Sequence, residues 1–396
     1  LARKSGSAGM SDSCSSSEWV PLLVPDMPSP QVLMPWLERM HAARHYSNYG
    51  PLVRELESEF AQRFALPVDD LTTVSNATQG LELVLQALEL APGSRILLPA
   101  FTFVATATAV VRAGHLPVLA DVDPDDWMLT PDIARAACAV TPVDAVLPVA
   151  TFGMPHDMKA WQQLEQDTGL PVVIDAAAAY GSQWLQGAEG TLVFSLHTTK
   201  SLPAGEGGLV VSTRPGLAAR VRQLSNFGIN LDPKAGMPLG SLARVGTNAK
   251  MSEYHAAIGL ASLQVWEEHA LERRRLHACL MEELDEASGH SLVWQRLGAG
   301  GALVAPSLLC AQLPDDGTRR ALEQTCQQMH ITTRRWYQPL LQHMQALLPH
   351  CQALETPHAD RLASTLVGLP FFLGMEAMQR GRLKLAVSAA VQASRA

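Results

Sequence analysis

Three clusters in this 396-residue chain set chemically able side chains at the edges of apolar runs. In VSNATQGLELVL, Ser75, Asn76, Ala77, Thr78 and Gln79 precede Gly80 and a helical apolar periodicity. Free N–H groups and the positive end of a helix dipole would favour a phosphate there, while a simple helix cap by Ser75 or Asn76 is the plainer account. In VVIDAAAAYG, Asp175 ends an apolar run. A carboxylate held at a strand end needs a cation or a hydrogen-bond donor beside it, and a cap or turn is again the plainer account of an isolated aspartate. In TLVFSLHTTKSLPAGEGGLVVS, Ser195, His197 and Lys200 follow a strand-like run and lead into Gly205, Glu206, Gly207 and Gly208. Most lysines are solvated surface residues, but glycines clustered after this one indicate close backbone approach.

The elements around these clusters alternate. PLVRELESEFAQRFA begins a helix at Pro51, with Leu52, Leu56, Phe60 and Phe64 on one face. Leu81, Val84, Leu85 and Leu88 mark a second helix that stops before Pro92 and Gly93. Short apolar runs at 96–101, 118–122, 145–150 and 172–177 then alternate with helices expected over Ala105–Arg112, Pro131–Ala139 and Asp157–Gln166. Runs at 192–196 and 208–212 lie too close for a helix between them, so they read as an antiparallel pair beside a mostly parallel α/β sheet covered on both faces. Ligands of such sheets sit beyond the carboxyl ends of strands, where all three clusters fall. Ser252–Leu284 reads as one long helix or two, and a smaller α+β unit follows with a strand expected at Leu303–Pro306 and a helix around Thr318–Met329.

Composition narrows the class of function. Apolar residues are 47% and charged residues 17%, which suits a large core and excludes a disordered chain. A net charge of −8 argues against general affinity for nucleic acid or anionic membrane, while a local basic pocket stays possible. Six scattered cysteines without a CxxC pair indicate neither a disulfide framework nor a metal site, and a reduced, cytoplasmic setting is expected. Trp336–Leu354 and Leu297–Pro314, the longest runs without a charged residue, are broken by prolines, polar residues or glycines and do not make a membrane span. The Ser- and Gly-rich start lacks a signal peptide's apolar core and reads as a flexible tail. No GxGxxG follows the first strand and no GxxxxGK[ST] occurs, so dinucleotide and nucleoside-triphosphate signatures are missing. Arg273, Arg274 and Arg275 fan around a helix and read as solvated or ion-paired.

Taken together, the clusters resemble the pyridoxal-phosphate enzymes of the aspartate-aminotransferase fold, and within them the DegT/DnrJ/EryC1/StrS sugar aminotransferases. The resemblance runs from Ser47 to about Val391 through SNYGPLVRELESEFA, VSNATQGLEL, LPAFTFVATATAV, FGMPHDMKAW, FSLHTTKSLPAGEGG, GTNAKMSEYHAAIGLASL, ITTRRWYQPL and LPFF. It implies a fold-type I transferase. A tail over 1–19 and an arm over 20–50 would precede a three-layer α/β/α cofactor domain over 51–285, and a small α+β domain would cover 286–396.

By the same resemblance, Lys200 would bond pyridoxal 5′-phosphate as an aldimine and Asp175 would keep its pyridine nitrogen protonated. Ala77, Thr78, the N–H groups around Gln79, and Ser195 would bind the phosphate, and Phe103 would stack on the ring. Asn248 matches a residue that reaches the phosphate site of a neighbouring subunit, implying an obligatory homodimer with a shared site. Such an enzyme would take an amine from L-glutamate and pass it, by ping-pong transfer, to a keto group of a nucleotide-linked deoxysugar. A histidine at the lysine position marks the family's sugar dehydratases, so Lys200 points to transamination. Ala178 replaces the family's Gln or His, and Lys250 its Arg, so a non-nucleotide ketone or aldehyde, such as a keto-cyclitol, is the alternative acceptor. A non-catalytic binding relative is the alternative outside enzymes. His197 would either touch substrate or pack beneath the site, Glu206 and its glycines would shape the turn after Lys200, and Arg334 to Tyr337 would lie near the substrate entrance, Trp336 mainly as structure.

Overall fold

Helix α1 (Pro30–Ala43) leads into α2 (Pro51–Phe64), and a computed structural model describes residues 19–296 and 304–395 of the chain. The expected face of α2, Leu52, Leu56, Phe60 and Phe64, is buried. Each such side chain contributes about 1.5–3 kcal/mol on burial, well above propensity differences of roughly 1 kcal/mol or less, so the apolar face decides the helix.

Seven strands follow: β1 (Leu71–Val74), β2 (Arg95–Pro99), β3 (Leu116–Ala120), β4 (Ala145–Val146), β5 (Ile174–Asp175), β6 (Thr191–Ser195) and β7 (Gly208–Ser212). Helices α3 (Ala77–Ala87), α4 (Val104–Arg112), α5 (Pro131–Val140) and α6 (Met158–Thr168) connect them, and α7 (Leu217–Ser225) comes after β7. Strands β1-β7-β6-β5 are hydrogen-bonded in that order, β3-β2-β4 form a second group, and parallel bridges Val146↔Val172 and Val149↔Asp175 join the two into one sheet. The pairs within β5-β6 and β3-β2-β4 are parallel, while β7 runs antiparallel to both β1 and β6.

Both faces of this sheet are covered. Leu192, Phe194, Leu209 and Val211 enter one core with α2 and α6, while Val193 and Val210 enter the other with α3 and α4. Continuous burial rather than alternation is what a two-sided sheet requires.

The segment Ser252–Leu284 forms a single helix, α8 (Glu253–Ala287). Its first half packs Leu260, Leu263 and Trp266 on the large sheet, and its second half gives Leu280 and Leu284 to a third core. That core holds β8 (Val293–Trp294), β9 (Leu309–Gln312), α9 (Asp316–Gln328), β11 (Leu366–Leu369) and α11 (Ala377–Arg395), with the strands in the order β11-β9-β8. Two late elements return to the large unit: β10 (Gln352–Ala353) pairs with β3, and α10 (Pro357–Thr365) buries Leu362 beside the α3–α4 core.

The strand expected at Leu303–Pro306 is not formed by 304–306, Leu303 lying outside the described residues. The pairing moves downstream to β9, past Pro306, which has no N–H for a ladder. Of the tail expected over 1–19, residues 1–18 are also outside the described residues. Among the described residues no helix is long and apolar enough to cross a membrane.

Candidate active site

Strand register brings the three clusters to one edge. Val74 of β1 pairs with Gly208 of β7, Gly208 with Ser195 of β6, and Asp175 of β5 with Val193 of β6. The carboxyl ends of β1, β5 and β6 therefore lie side by side, and α3 starts three residues after β1 ends.

At that start Asn76 is extended, and its Oδ1 accepts the Gln79 N–H at 2.9 Å. Capping and ligand binding are thus compatible, because the N–H groups of Ala77 and Thr78 take no partner among the described residues. Glycine lets the helix sit this close to the sheet. A Cβ at Gly208 would lie 2.7 Å from the Asn76 carbonyl carbon and 2.9 Å from the Ala77 nitrogen, and one at Gly80 would lie 2.9 Å from Val193 Cγ1. The start of α3, with its backbone donors, therefore lies against Gly208, whose ladder partner on β6 is Ser195.

Asp175 is 4% exposed. Its Oδ2 accepts from Thr106 Oγ1 at 2.7 Å and its Oδ1 from the Ala177 N–H at 3.1 Å. Thr106 is itself 3.1 Å from the Thr102 hydroxyl. Burial pushes the Asp175 carboxyl above the usual carboxylate range, opposed by Thr106, Ala177 and the charge of Lys200. Thr106 escaped the sequence reading; the hydroxyls four residues apart in FTFVATAT were the only signal.

Lys200 sits in a loop between β6 and β7. Its N–H donates to the His197 carbonyl at 2.9 Å, and the loop is closed by Leu196 N–H to Gly207 O at 2.9 Å and Thr198 N–H to Gly205 O at 3.0 Å. Gly205 has φ +80°, which explains a glycine there. Burial lowers the Lys200 ammonium below the ordinary lysine value, and Asp175 works against that shift. An amine poised in this way can act as nucleophile and as proton carrier.

Phe103 precedes α4 with its ring 50% exposed, 6.4 Å from Tyr337. Tyr337 stacks on Phe152 at 5.4 Å and meets Phe101 at 5.2 Å, so an aromatic wall borders Phe103. Trp336 covers Gly368, where a Cβ would lie 2.5 Å from the indole nitrogen, and carries the Arg334 guanidinium at 4.3 Å. Ala178 occupies the turn after Asp175, with its carbonyl packed into the space left by Gly153.

Asn248 shares no hydrogen bond with Asp175 or Lys200 among the described residues. It is exposed, and its Oδ1 accepts from Lys250 Nζ at 2.7 Å, which lies 4.6 Å from the Phe227 ring centre. Its neighbour Ala249 accepts the Ser75 N–H at 2.7 Å, so the segment runs alongside the approach to α3 of its own chain.

The donor set suits pyridoxal phosphate: helix N–H groups and a hydroxyl for the phosphate, a buried carboxylate for a ring nitrogen, an amine for a carbonyl carbon, and an exposed aromatic face for a planar ring. Solved structures agree with that fold. DesI, solved in the presence of its TDP-sugar product, is 30% identical over 94% of this chain and 93% of its own, with a TM-score of 0.80. A provisionally assigned PLP-dependent aminotransferase from Bacillus cereus ATCC 10987 is 26% identical over 93% and 99% of the two chains, with a TM-score of 0.84. DesV of S. venezuelae is 25% identical over 94% and 99%, with a TM-score of 0.76. A family model matches residues 34–384, and with most of its length matched this chain belongs to the DegT/DnrJ/EryC1/StrS aminotransferase family, whose members use pyridoxal phosphate.

Proposed function

We propose that Lys200 and Asp175 are the working groups of a transamination that moves an amino group from L-glutamate to a keto group of a nucleotide-linked deoxysugar. The observation that carries this reading is the strand register that sets the buried Asp175 carboxylate at the end of β5, the half-buried Lys200 in the loop after the adjoining β6, and an unpartnered pair of helix N–H groups at the start of α3 beside them. Bound there, pyridoxal phosphate supplies a ring that takes up the electron pair left when an amino acid loses its α-proton. Asp175 would hold a proton on the ring nitrogen of the bound cofactor. Lys200 would supply the amine that holds the cofactor's carbonyl group and, as a free amine, would accept and return the substrate's α-proton. The N–H groups of Ala77 and Thr78, the helix start at Gln79, and Ser195 would hold the phosphate, and Phe103 would orient the ring. Donor and acceptor would take turns at this one site, so the kinetics would be ping-pong.

A nucleotide-sugar acceptor is supported by the 30% identity to DesI, solved with a TDP-sugar. One observation favours a second acceptor class, a non-nucleotide ketone or aldehyde: Lys250 is already committed to Asn248 and Phe227, leaving less cationic grip for a diphosphate. Amine transfer measured against nucleotide keto-sugars and free keto-cyclitols separates the two. The catalytic reading itself is tested by the visible absorbance of the purified protein with cofactor. We expect a band that Lys200→Ala removes, with turnover falling at least ~10³-fold. A wild type that gives no such band sinks the reading in favour of a non-catalytic relative. We place the enzyme in a reducing compartment, the cytoplasm, supported by the free state of Cys138, Cys279, Cys310, Cys326 and Cys351.

A further inference from the structure

The β6–β7 register continues past the last ladder pair. Ser195 faces Gly208, and the next backbone bonds join Leu196 to Gly207 and Thr198 to Gly205. His197 and Glu206 are therefore cross-strand neighbours, one step inside the loop that carries Lys200. Their side chains meet, with Nε2 3.6 Å from Glu206 Oε1. The other ring nitrogen turns back on the loop: Nδ1 accepts the Thr199 N–H at 3.3 Å and lies 3.0 Å from Thr199 Oγ1.

An imidazole whose Nδ1 accepts an N–H carries its proton on Nε2, the nitrogen that faces the carboxylate. The ring thus spans both strands of the loop and also holds the N–H of Thr199, the residue before Lys200. His197's own carbonyl accepts the Lys200 N–H, so one residue fixes the lysine's backbone from two sides. Glu206 has a second neighbour: its charge acts on His255 of α8, whose Nδ1 is 3.0 Å from Ser252 Oγ and whose ring packs at Gly205.

We propose that His197, held by Glu206, is a positioning residue that sets where the Lys200 amine meets the cofactor carbonyl. The inference rests on Lys200 being the cofactor-bonding lysine. It assigns His197 no contact with substrate and no proton transfer. The pair is partly exposed, so it acts by geometry rather than by a large ion-pair energy.

The test follows bond formation, not turnover. Apoprotein is mixed with pyridoxal phosphate, the visible band is timed by stopped flow, and the linked lysine is trapped with borohydride and located by peptide mass. Affinity for pyridoxamine phosphate, which cannot form the link, is titrated in parallel. We expect His197→Ala to slow linking about 10- to 100-fold, as misplacement by about 1 Å does, with pyridoxamine phosphate affinity within about 3-fold of wild type. His197→Asn should recover most of the rate, because its Oδ1 can still accept the Thr199 N–H, and His197→Ala with Glu206→Ala should be no slower than His197→Ala alone. Linking at the wild-type rate in His197→Ala overturns the inference, as does a parallel loss of pyridoxamine phosphate affinity that His197→Asn fails to restore. Trapping on a lysine other than Lys200 in the wild type instead overturns the assignment on which it rests.

Discussion

Asp175 has a cationic neighbour in Lys200 and two hydrogen-bond donors, but only one donor is a side chain that can be removed without breaking the backbone. Thr106→Val keeps the shape of that side chain and deletes the hydroxyl. Burial already pushes the carboxyl upward, and the Thr106 bond opposes it, so the variant moves the carboxyl further toward its neutral form. A neutral acid cannot hold the ring nitrogen protonated. A hydrogen bond to a charged group is worth roughly 1.5–3 kcal/mol, which sets the expected fall in kcat at about 10- to 100-fold with KM little changed. Steady-state kinetics on both half-reactions checks this; an unchanged kcat would show that Asp175 is held charged by Lys200 and Ala177 alone.

The start of α3 is an arrangement of elements rather than of one side chain. Gly208 lets β7 pass within contact distance of the Asn76–Ala77 peptide, so Gly208→Ala displaces the two free N–H groups without touching Asp175 or Lys200. Cofactor affinity should fall about 10- to 100-fold while kcat at saturating cofactor changes by less, measured by titrating apoprotein. Gly93→Ala is the control: its φ of +78° makes it strained, but nothing lies within 4 Å, so it costs about 1 kcal/mol of stability and leaves cofactor binding alone. Long buried runs such as β2, β6 and β7 were legible in the sequence because hydrophobic continuity itself marks a covered strand. Strand β1 was not, because Thr72 and Thr73 are buried polar residues: Glu57 accepts both the Thr73 N–H and its hydroxyl at 2.9 Å, and the Thr72 hydroxyl donates to the Thr73 carbonyl at 3.4 Å. The two-residue β10 gave no periodic signal at all. Thr106 stayed hidden for a related reason: its partner is 69 residues away, and no local pattern encodes such a contact.

At the scale of the molecule, two histidines, the buried His156 and the half-buried His277, tie stability to pH. Burial holds His156 and His277 down at about 4 against an ordinary value of 6.5. Above pH 6.5 both are neutral folded or unfolded; as pH falls toward 4 the unfolded chain takes up protons the folded one refuses, so stability drops, by about 3 kcal/mol per histidine. Asp126, raised to about 6, works in the opposite sense between 3.8 and 6 and offsets one of them in part. His156→Asn should therefore show a smaller drop in thermal midpoint between pH 7 and pH 4.5 than the wild type. An unchanged drop would mean that His156 is protonated in the folded state. Assembly supplies the other whole-molecule prediction. Asn248 lies on an exposed segment with Phe227, Leu242 and Val245 exposed around it, an apolar surface that a second copy of the chain can cover. If Asn248 completes the phosphate site of a neighbouring subunit in a homodimer, the two kinds of damage are separable. An Asn248→Ala subunit keeps Lys200 and an intact Asp175, and a Lys200→Ala subunit keeps Asn248. Mixed and allowed to exchange, they form heterodimers in which one site has both faults and the other has neither, so up to about half of the mixed dimers' sites regain wild-type turnover. The measurement is activity against mixing ratio, with exchange confirmed by mass. Exchange without recovery would place Asn248 in service of its own chain, where Ala249 already meets Ser75 at the approach to α3.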